Sequence, residues 1–193
     1  MQVTKIGAVY QVTFMPRLFP VNCYLIEEKE TLTLIDAALP YSAKGILEAA
    51  RKIGKPIANL VLTHAHNDHV GALDALRNTL PHATVSISVR DARLLSGDRS
   101  LDPGESDTLI RGGIPKNVKT VPDVLLQEGD RIGSLEAVSA PGHTPGSMAF
   151  LDTRSKALIA GDAFQTRGGA AVSGTVKPWF PFPAWATWNR EPR

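Results

Sequence analysis

His64-Ala65-His66-Asn67-Asp68-His69 places three imidazoles and one carboxylate within six residues. The apolar run Leu60-Val61-Leu62 directly precedes this cluster and indicates a buried strand. Positions i and i+2 of a strand point to the same side, so His64 and His66 are predicted to project together from the strand's end. Asp68 and His69 follow where helical spacing begins. The turn is therefore predicted to aim four metal-binding groups into one small volume, and these ligand types suit zinc, iron or manganese.

The composition is that of an ordinary globular protein. The chain has 193 residues, of which 43% are hydrophobic and 21% charged, and it is predicted to form one domain over residues 1–193. A formal net charge of +2 and the lack of a basic stripe argue against nucleic acid or an anionic membrane as a partner. The sequence has no run of eighteen apolar residues and no signal-peptide layout at its start. Its lone cysteine, Cys23, is predicted to be a core thiol. One cysteine allows no internal disulfide, and a reducing cytoplasm therefore fits best. We expect the partner of the protein to be a small molecule.

Patterns of strands and helices surround the cluster. Residues 1–5, 9–14, 22–27 and 31–35 predict an antiparallel start, and later strands are predicted over 83–88, 135–140, 148–152 and 157–160. Helices are predicted over residues 41–53, with Gly54 as the stop, and over 70–80 and 89–95. Gly129-Asp130 predicts a hairpin turn, and residues 97–121 a long loop. The pattern indicates an α/β fold of two sheets with helices outside and no internal domain boundary.

Two further candidate ligands follow later strands. His143 lies in the loop Pro141-Gly142-His143-Thr144-Pro145-Gly146, and Asp162 comes directly after Gly161. Glycine beside each of them allows the backbone to pass close to a shared centre. Taken alone, His143 would be a structural histidine and Asp162 a cap or turn residue. Together with the His64 cluster, both are predicted to be metal ligands.

These motifs, with Leu34-Ile35-Asp36 as an early strand ending in a buried aspartate, resemble the metallo-β-lactamase superfamily over residues 9–189. The resemblance implies an αβ/βα four-layer sandwich of two mixed sheets flanked by helices, with a metal centre at one edge of the facing sheets. It implies that one ion is held by His64, His66 and His143, that Asp162 bridges to a second ion, and that Asp68 and His69 bind that second ion. Asp36 is expected to be a structural hydrogen-bond acceptor that serves a ligand histidine.

The resemblance also implies a metal-dependent hydrolase, in which hydroxide on zinc attacks the carbonyl of a small ester, thioester or lactone. Asp68 would orient the attacking water and accept a proton from it. Two-metal members carry a further histidine near the C-terminus, whereas no histidine follows His143 here and His82 is predicted to lie at the surface. The second site is therefore expected to be incomplete unless the sequence is a piece of a longer one. The alternatives are a one-iron enzyme similar to the persulfide dioxygenases and a non-catalytic metal-binding member.

The C-terminal stretch is rich in aromatic residues and proline. Trp179-Phe180-Pro181-Phe182-Pro183-Ala184-Trp185 is predicted either to wall an apolar pocket near Asp162 or to be a buried connection. Residues 187–191 are predicted to begin a helix. An apolar patch left exposed here would allow homo-oligomer formation.

Overall fold

Two β-sheets pack face to face in the computed structural model, which describes residues 1–189. The larger sheet contains β1 (Gln2–Ile6), β2 (Val9–Phe14), β3 (Val21–Glu27), β4 (Leu32–Ile35), β5 (Ile57–Val61), β6 (Thr84–Ser88) and β7 (Val124–Leu126), side by side in that order. The smaller sheet contains β8 (Arg131–Ile132), β9 (Leu135–Ser139), β10 (Met148–Asp152) and β11 (Leu158–Ile159). A separate ribbon pairs β12 (Phe164–Gln165) with β13 (Ala171–Val172). Strands β1 to β4 are antiparallel, as predicted, and β4 to β7 are parallel.

Helices cover the outer face of the larger sheet. The described helices are α1 (Ala43–Ile53), α2 (Asn67–Val70), α3 (Leu73–Thr79), α4 (Val89–Leu95) and α5 (Phe182–Ala186). One hydrophobic core joins α1, α3 and α4 to the sheet, through Ile46, Leu73 and Leu94. A second core fills the space between the two sheets, where Val61 packs with Phe150. The α/β class and the two facing sheets are thereby confirmed, and β4 is buried at all four positions because both of its faces are covered.

The predicted helix over residues 70–80 is wrong in its extent. The structure has two helices, α2 and α3, separated at Gly71-Ala72. The Gly71 amide donates to the carbonyl of Ala38, and a Cβ on Gly71 would lie 2.6 Å from Pro40. This close approach takes the chain out of the helix, and α2 begins early enough to include Asp68 and His69.

The predicted hairpin turn at Gly129-Asp130 is also wrong. Strand β7 pairs with β6, so the segment after β7 carries the chain from the larger sheet to the smaller one. The hairpin turn lies instead at Gly133-Ser134, between the paired strands β8 and β9. Residues 97–121 form no helix or strand, which confirms the long loop.

Two other predictions concern the chain as a whole. Cys23 is fully buried in the core, and burial raises the pKa of its thiol, as expected for a core residue. Within residues 1–189, no helix has both the length and the apolar character needed to cross a membrane.

Candidate metal centre

Loops at the carboxyl ends of four strands meet at one edge of the sandwich. Asp36 follows β4, the His64 cluster follows β5, the His143 loop follows β9 and Asp162 follows β11. The four histidines His64, His66, His69 and His143 are buried, and the Asp162 side chain is 26% exposed. Residues far apart in sequence therefore share one largely buried volume, as predicted.

The candidate ligand atoms form two overlapping groups. The first trio is His64, His66 and His143, and the second trio is His64, His69 and Asp162. Within each trio, the ligand atoms lie within 4.8 Å of one another. Asp68 belongs to neither trio among the described residues, although it is half-buried and lines the same cavity. Its role as a metal ligand stays a prediction.

The tautomer of His143 can be assigned from its neighbours. Thr187 donates its hydroxyl proton to the Pro183 carbonyl at 2.7 Å. The Thr187 oxygen can then only accept at its 3.1 Å contact with His143 Nδ1, so Nδ1 carries the imidazole proton. His143 Nε2 is left with a lone pair.

The same reasoning applies to His66. Its Nε2 lies 3.0 Å from the Arg111 carbonyl, which can only accept, so Nε2 carries the proton. In the neutral ring His66 Nδ1 is then unprotonated, and it lies 2.9 Å from His143 Nε2. Two lone pairs face each other at hydrogen-bond distance.

His64 completes the first trio. Thr63 donates its hydroxyl proton to the Asp36 carboxylate at 2.8 Å, so it accepts from His64 Nδ1 at 3.0 Å. His64 Nε2 is buried and has no hydrogen-bond partner. An orphaned buried nitrogen costs free energy unless something satisfies it.

A cation between these nitrogens resolves the conflict. A proton shared by His66 and His143 would need a charged ring, but burial lowers the pKa of each to about 4, although Asp162 opposes the shift. Burial also lowers the pKa of His64. At pH 7, three neutral imidazoles thus present lone pairs to one point, with their outer nitrogens held by hydrogen bonds. The residues present fit a divalent metal ion.

His69 has a different environment, because carboxylates lie on both sides of its ring. Its Nδ1 lies 2.8 Å from Asp36 and its Nε2 lies 3.4 Å from Asp162. Burial alone would lower the pKa of His69, but the two carboxylates outweigh it and raise the pKa well above 6.5. Burial likewise would raise the pKa of Asp162, but the neighbouring His69 and His143 hold it low. Asp36 is thus an acceptor for a candidate ligand histidine, as expected.

The centre opens into a cavity of about 240 Å³. Its lining combines the polar groups of the centre with an aromatic cluster of Phe19, Phe180 and Phe182, whose ring centroids lie 5.3–5.4 Å apart. The pocket-wall prediction thus holds for Phe180, which is buried, and for Phe182, which is partly exposed, whereas neither Trp179 nor Trp185 lines the cavity. The predicted helix at residues 187–191 is wrong where it can be checked, because residues 187–189 follow α5 without helical structure, and residues 190–191 lie outside the described part.

Apart from Asp36, sequence reasoning missed the groups that hold the candidate ligands. Thr63 directly precedes the cluster and was within reach of a sequence argument. Thr187, the Arg111 carbonyl and Asp91 carry no metal-binding signature. Asp91 lies in the first turn of α4 near its cap, Ser88, where an acidic residue is ordinary.

The profile of the family described as the metallo-beta-lactamase superfamily matches residues 16–189, so the chain belongs to that superfamily. The uncharacterized protein YobT of Bacillus subtilis (strain 168) is 61% identical over 191 residues, which cover 99% of this chain and 82% of YobT. The probable metallo-hydrolase YflN of the same organism is 29% identical over 164 residues, which cover 75% of this chain and 61% of YflN.

Solved structures show the same fold. BJP-1, a subclass B3 metallo-β-lactamase of Bradyrhizobium japonicum, superposes with a TM-score of 0.58 at 27% identity, covering 78% of this chain and 56% of BJP-1. The metallo-β-lactamase fold is thereby confirmed. This chain spans about three fifths of the length of YflN and of BJP-1.

Proposed function

We propose that this protein is a metal-dependent hydrolase, with zinc as its resident ion, that acts on a small ester, thioester or lactone. The observation that carries the proposal is the first trio: three buried imidazole nitrogens, assigned as unprotonated, that face one another. The names of YflN, a probable metallo-hydrolase, and BJP-1, a metallo-β-lactamase, support the same class of reaction.

The ion would be held by His64, His66 and His143. When bound in such a site, zinc lowers the pKa of water to about 7 and polarises a carbonyl oxygen. The chain's own part is to keep the three rings fixed through their outer nitrogens, so that no reorganisation is needed when substrate binds.

Two other groups line the cavity beside the trio. Asp68 is half-buried there, where it would accept a proton from the attacking water and pass it to the leaving group. The aromatic cluster in the cavity lining, Phe19 with Phe180 and Phe182, would exclude water from the apolar part of a substrate.

The test compares two histidine variants on a panel of esters, thioesters and lactones. His66→Ala removes a member of the first trio, so we expect turnover to fall to background and bound zinc to be lost. His82→Ala is the matched control, because His82 is exposed and outside both trios. Turnover by His66→Ala at the wild-type rate would contradict the proposal.

A one-iron enzyme that uses oxygen is the second candidate. It is favoured by one feature: both trios share His64, so the described residues offer one full set of imidazole ligands. Metal analysis of the purified protein separates the two candidates. One iron per chain with oxygen uptake would favour the iron enzyme, two zinc ions would exclude it, and bound metal without turnover on any substrate would indicate a non-catalytic member.

A further inference from the structure

The last described residues contact the loop that carries His143. Thr187 is fully buried and accepts from His143 Nδ1. The main-chain amides of the next two residues also reach this loop, Trp188 to the His143 carbonyl at 3.0 Å and Asn189 to the Gly142 carbonyl at 2.9 Å. Residues 187–189, the C-terminal clasp, thus hold both the ring and the backbone of one candidate ligand.

The C-terminal clasp also contacts the long loop of residues 97–121. The Trp188 side chain is 2% exposed, and its indole N–H donates to the Thr108 carbonyl at 2.7 Å. Three residues further along the same loop, the Arg111 carbonyl accepts from His66 Nε2. A single short segment therefore supports one imidazole of the first trio directly and contacts the loop that supports a second.

We propose that Thr187 is a positioning residue for the metal centre and that Trp188 fixes the clasp against the long loop. The inference rests on the metal centre of the proposed function, although not on hydrolysis. Thr187 selects one His143 tautomer because its hydroxyl donates to Pro183 and so must accept from the ring. The lone pair of His143 is then already at Nε2, the nitrogen that faces His66.

A hydroxyl is required for this role. Valine has the shape of threonine but cannot accept from His143, so Thr187→Val leaves the Nδ1 proton without a partner. Serine keeps the hydroxyl oxygen, so Thr187→Ser is expected to accept from His143 Nδ1 as threonine does. Loss of an outer partner of a ligand histidine typically weakens metal binding about 10- to 100-fold.

The experiment measures zinc affinity of the full chain by competition with a chromogenic chelator. We expect Thr187→Val to bind zinc about 10- to 100-fold more weakly than wild type and Thr187→Ser to bind it nearly as well. Thr79→Val is the matched control, because Thr79 also donates to a carbonyl four residues earlier but contacts no ligand histidine. Equal zinc affinity of Thr187→Val and Thr79→Val would overturn the proposal.

The tautomer can be read directly in the metal-free protein. Long-range ¹H–¹⁵N correlation spectra of histidine-labelled protein should show His143 protonated at Nδ1 in wild type and a mixture of tautomers in Thr187→Val. Protonation of wild-type His143 at Nε2 would overturn the assignment. Neither readout depends on turnover, so an absence of hydrolysis bears on the proposed function alone.

Trp188 is tested by a variant that keeps a buried ring. Trp188→Phe removes the indole donor to Thr108 and is expected to weaken zinc binding about 2- to 10-fold, the usual effect of one hydrogen bond. Trp185→Phe is the control, since Trp185 is 57% exposed. Unchanged zinc affinity in Trp188→Phe would contradict the proposal that the hydrogen bond from Trp188 to the long loop supports the metal centre.

Discussion

At the scale of single residues, Asp91 connects the two loops that carry the first trio. Its carboxylate accepts from the Ala65 amide at 2.9 Å, between His64 and His66. It also accepts from the Thr144 hydroxyl at 2.8 Å and the Gly146 amide at 2.9 Å, just after His143. The side chain is fully buried, and burial raises its pKa to about 6, although these donors and Arg90 lower it.

This raised pKa predicts a pH-dependent stability. Between the unfolded value near 3.8 and the folded value near 6, the native protein keeps a proton that the unfolded chain releases. The Asp91 contribution to the free energy of unfolding therefore falls as pH rises through this window, by on the order of 3 kcal/mol, and is constant above it. Because asparagine does not titrate, the free energy of unfolding of metal-free wild type minus that of Asp91→Asn should decrease from pH 4 to pH 6 in urea titrations.

The control for this substitution is Asp74→Asn. Asp74 also accepts from two amides and a hydroxyl, but it joins α3 to residues 119–120, away from the metal centre. Asp74→Asn should leave zinc affinity unchanged, whereas Asp91→Asn should lower it. A difference in stability between wild type and Asp91→Asn that is independent of pH would contradict the assigned protonation.

The candidate ligands and one support, Asp36, were predictable from sequence, whereas the other supports were not. The spacing of His64, His66 and His69 is local, so it is visible along the chain. Thr187 lies 44 residues from His143, and the hydroxyl becomes a support only after the chain has folded. Hydrogen bonds between distant residues leave no periodicity in the sequence.

At the scale of elements, the long loop seals the first trio from one side. Gly112 has φ = +85°, and a Cβ on it would lie 2.3 Å from His66 Nε2. The next residue, Gly113, accepts from the Asn67 amide at 2.8 Å. The loop therefore fits closely against the His64 cluster only because a side chain is absent at residue 112.

This fit predicts different effects for two glycine substitutions in one loop. Gly112→Ala and Gly104→Ala both place alanine in the left-handed region, at φ of +85° and +88°, so both should destabilise the protein by about 1–2 kcal/mol. Nothing lies within 4 Å of a Cβ on Gly104, so only Gly112→Ala should displace His66 and weaken zinc binding. Thermal denaturation and chelator competition measure the two effects. Equal zinc affinity of the two variants would show that the long loop can move away from His66 without weakening zinc binding, which would contradict the prediction.

The elements themselves were mostly predicted correctly, and the errors have tertiary causes. Gly71 breaks the predicted helix because it packs against Ala38 and Pro40, which no local pattern reveals. The turn at Gly129-Asp130 has hairpin composition, yet β7 finds its partner in β6. Local sequence thus specifies the segments, whereas contacts between segments decide where they end.

At the scale of the whole molecule, the candidate metal centre lies across the two sheets. His64 and His66 follow a strand of the larger sheet, whereas His143 and Asp162 follow strands of the smaller one. The Met148 amide donates to the Thr63 carbonyl at 2.8 Å, which joins the sheets beside the centre. Nothing in the spacing of the motifs specifies which sheet each ligand belongs to. Self-association through the exposed Trp179 and Trp185 stays a prediction.

A bound ion should therefore hold the two sheets together. Zinc at 100 times its dissociation constant should raise the free energy of unfolding by about 2.7 kcal/mol, and a chelator should remove the gain. Chelation should also speed hydrogen exchange of the Met148 amide, while the Leu25 amide, in the middle of the larger sheet, keeps its protection. In His143→Gln, which lacks the one member of the first trio that comes from the smaller sheet, the chelator should change neither quantity. If the Met148 and Leu25 amides of wild type respond equally to chelation, the ion stabilises the fold as a whole and does not act as the link between its sheets.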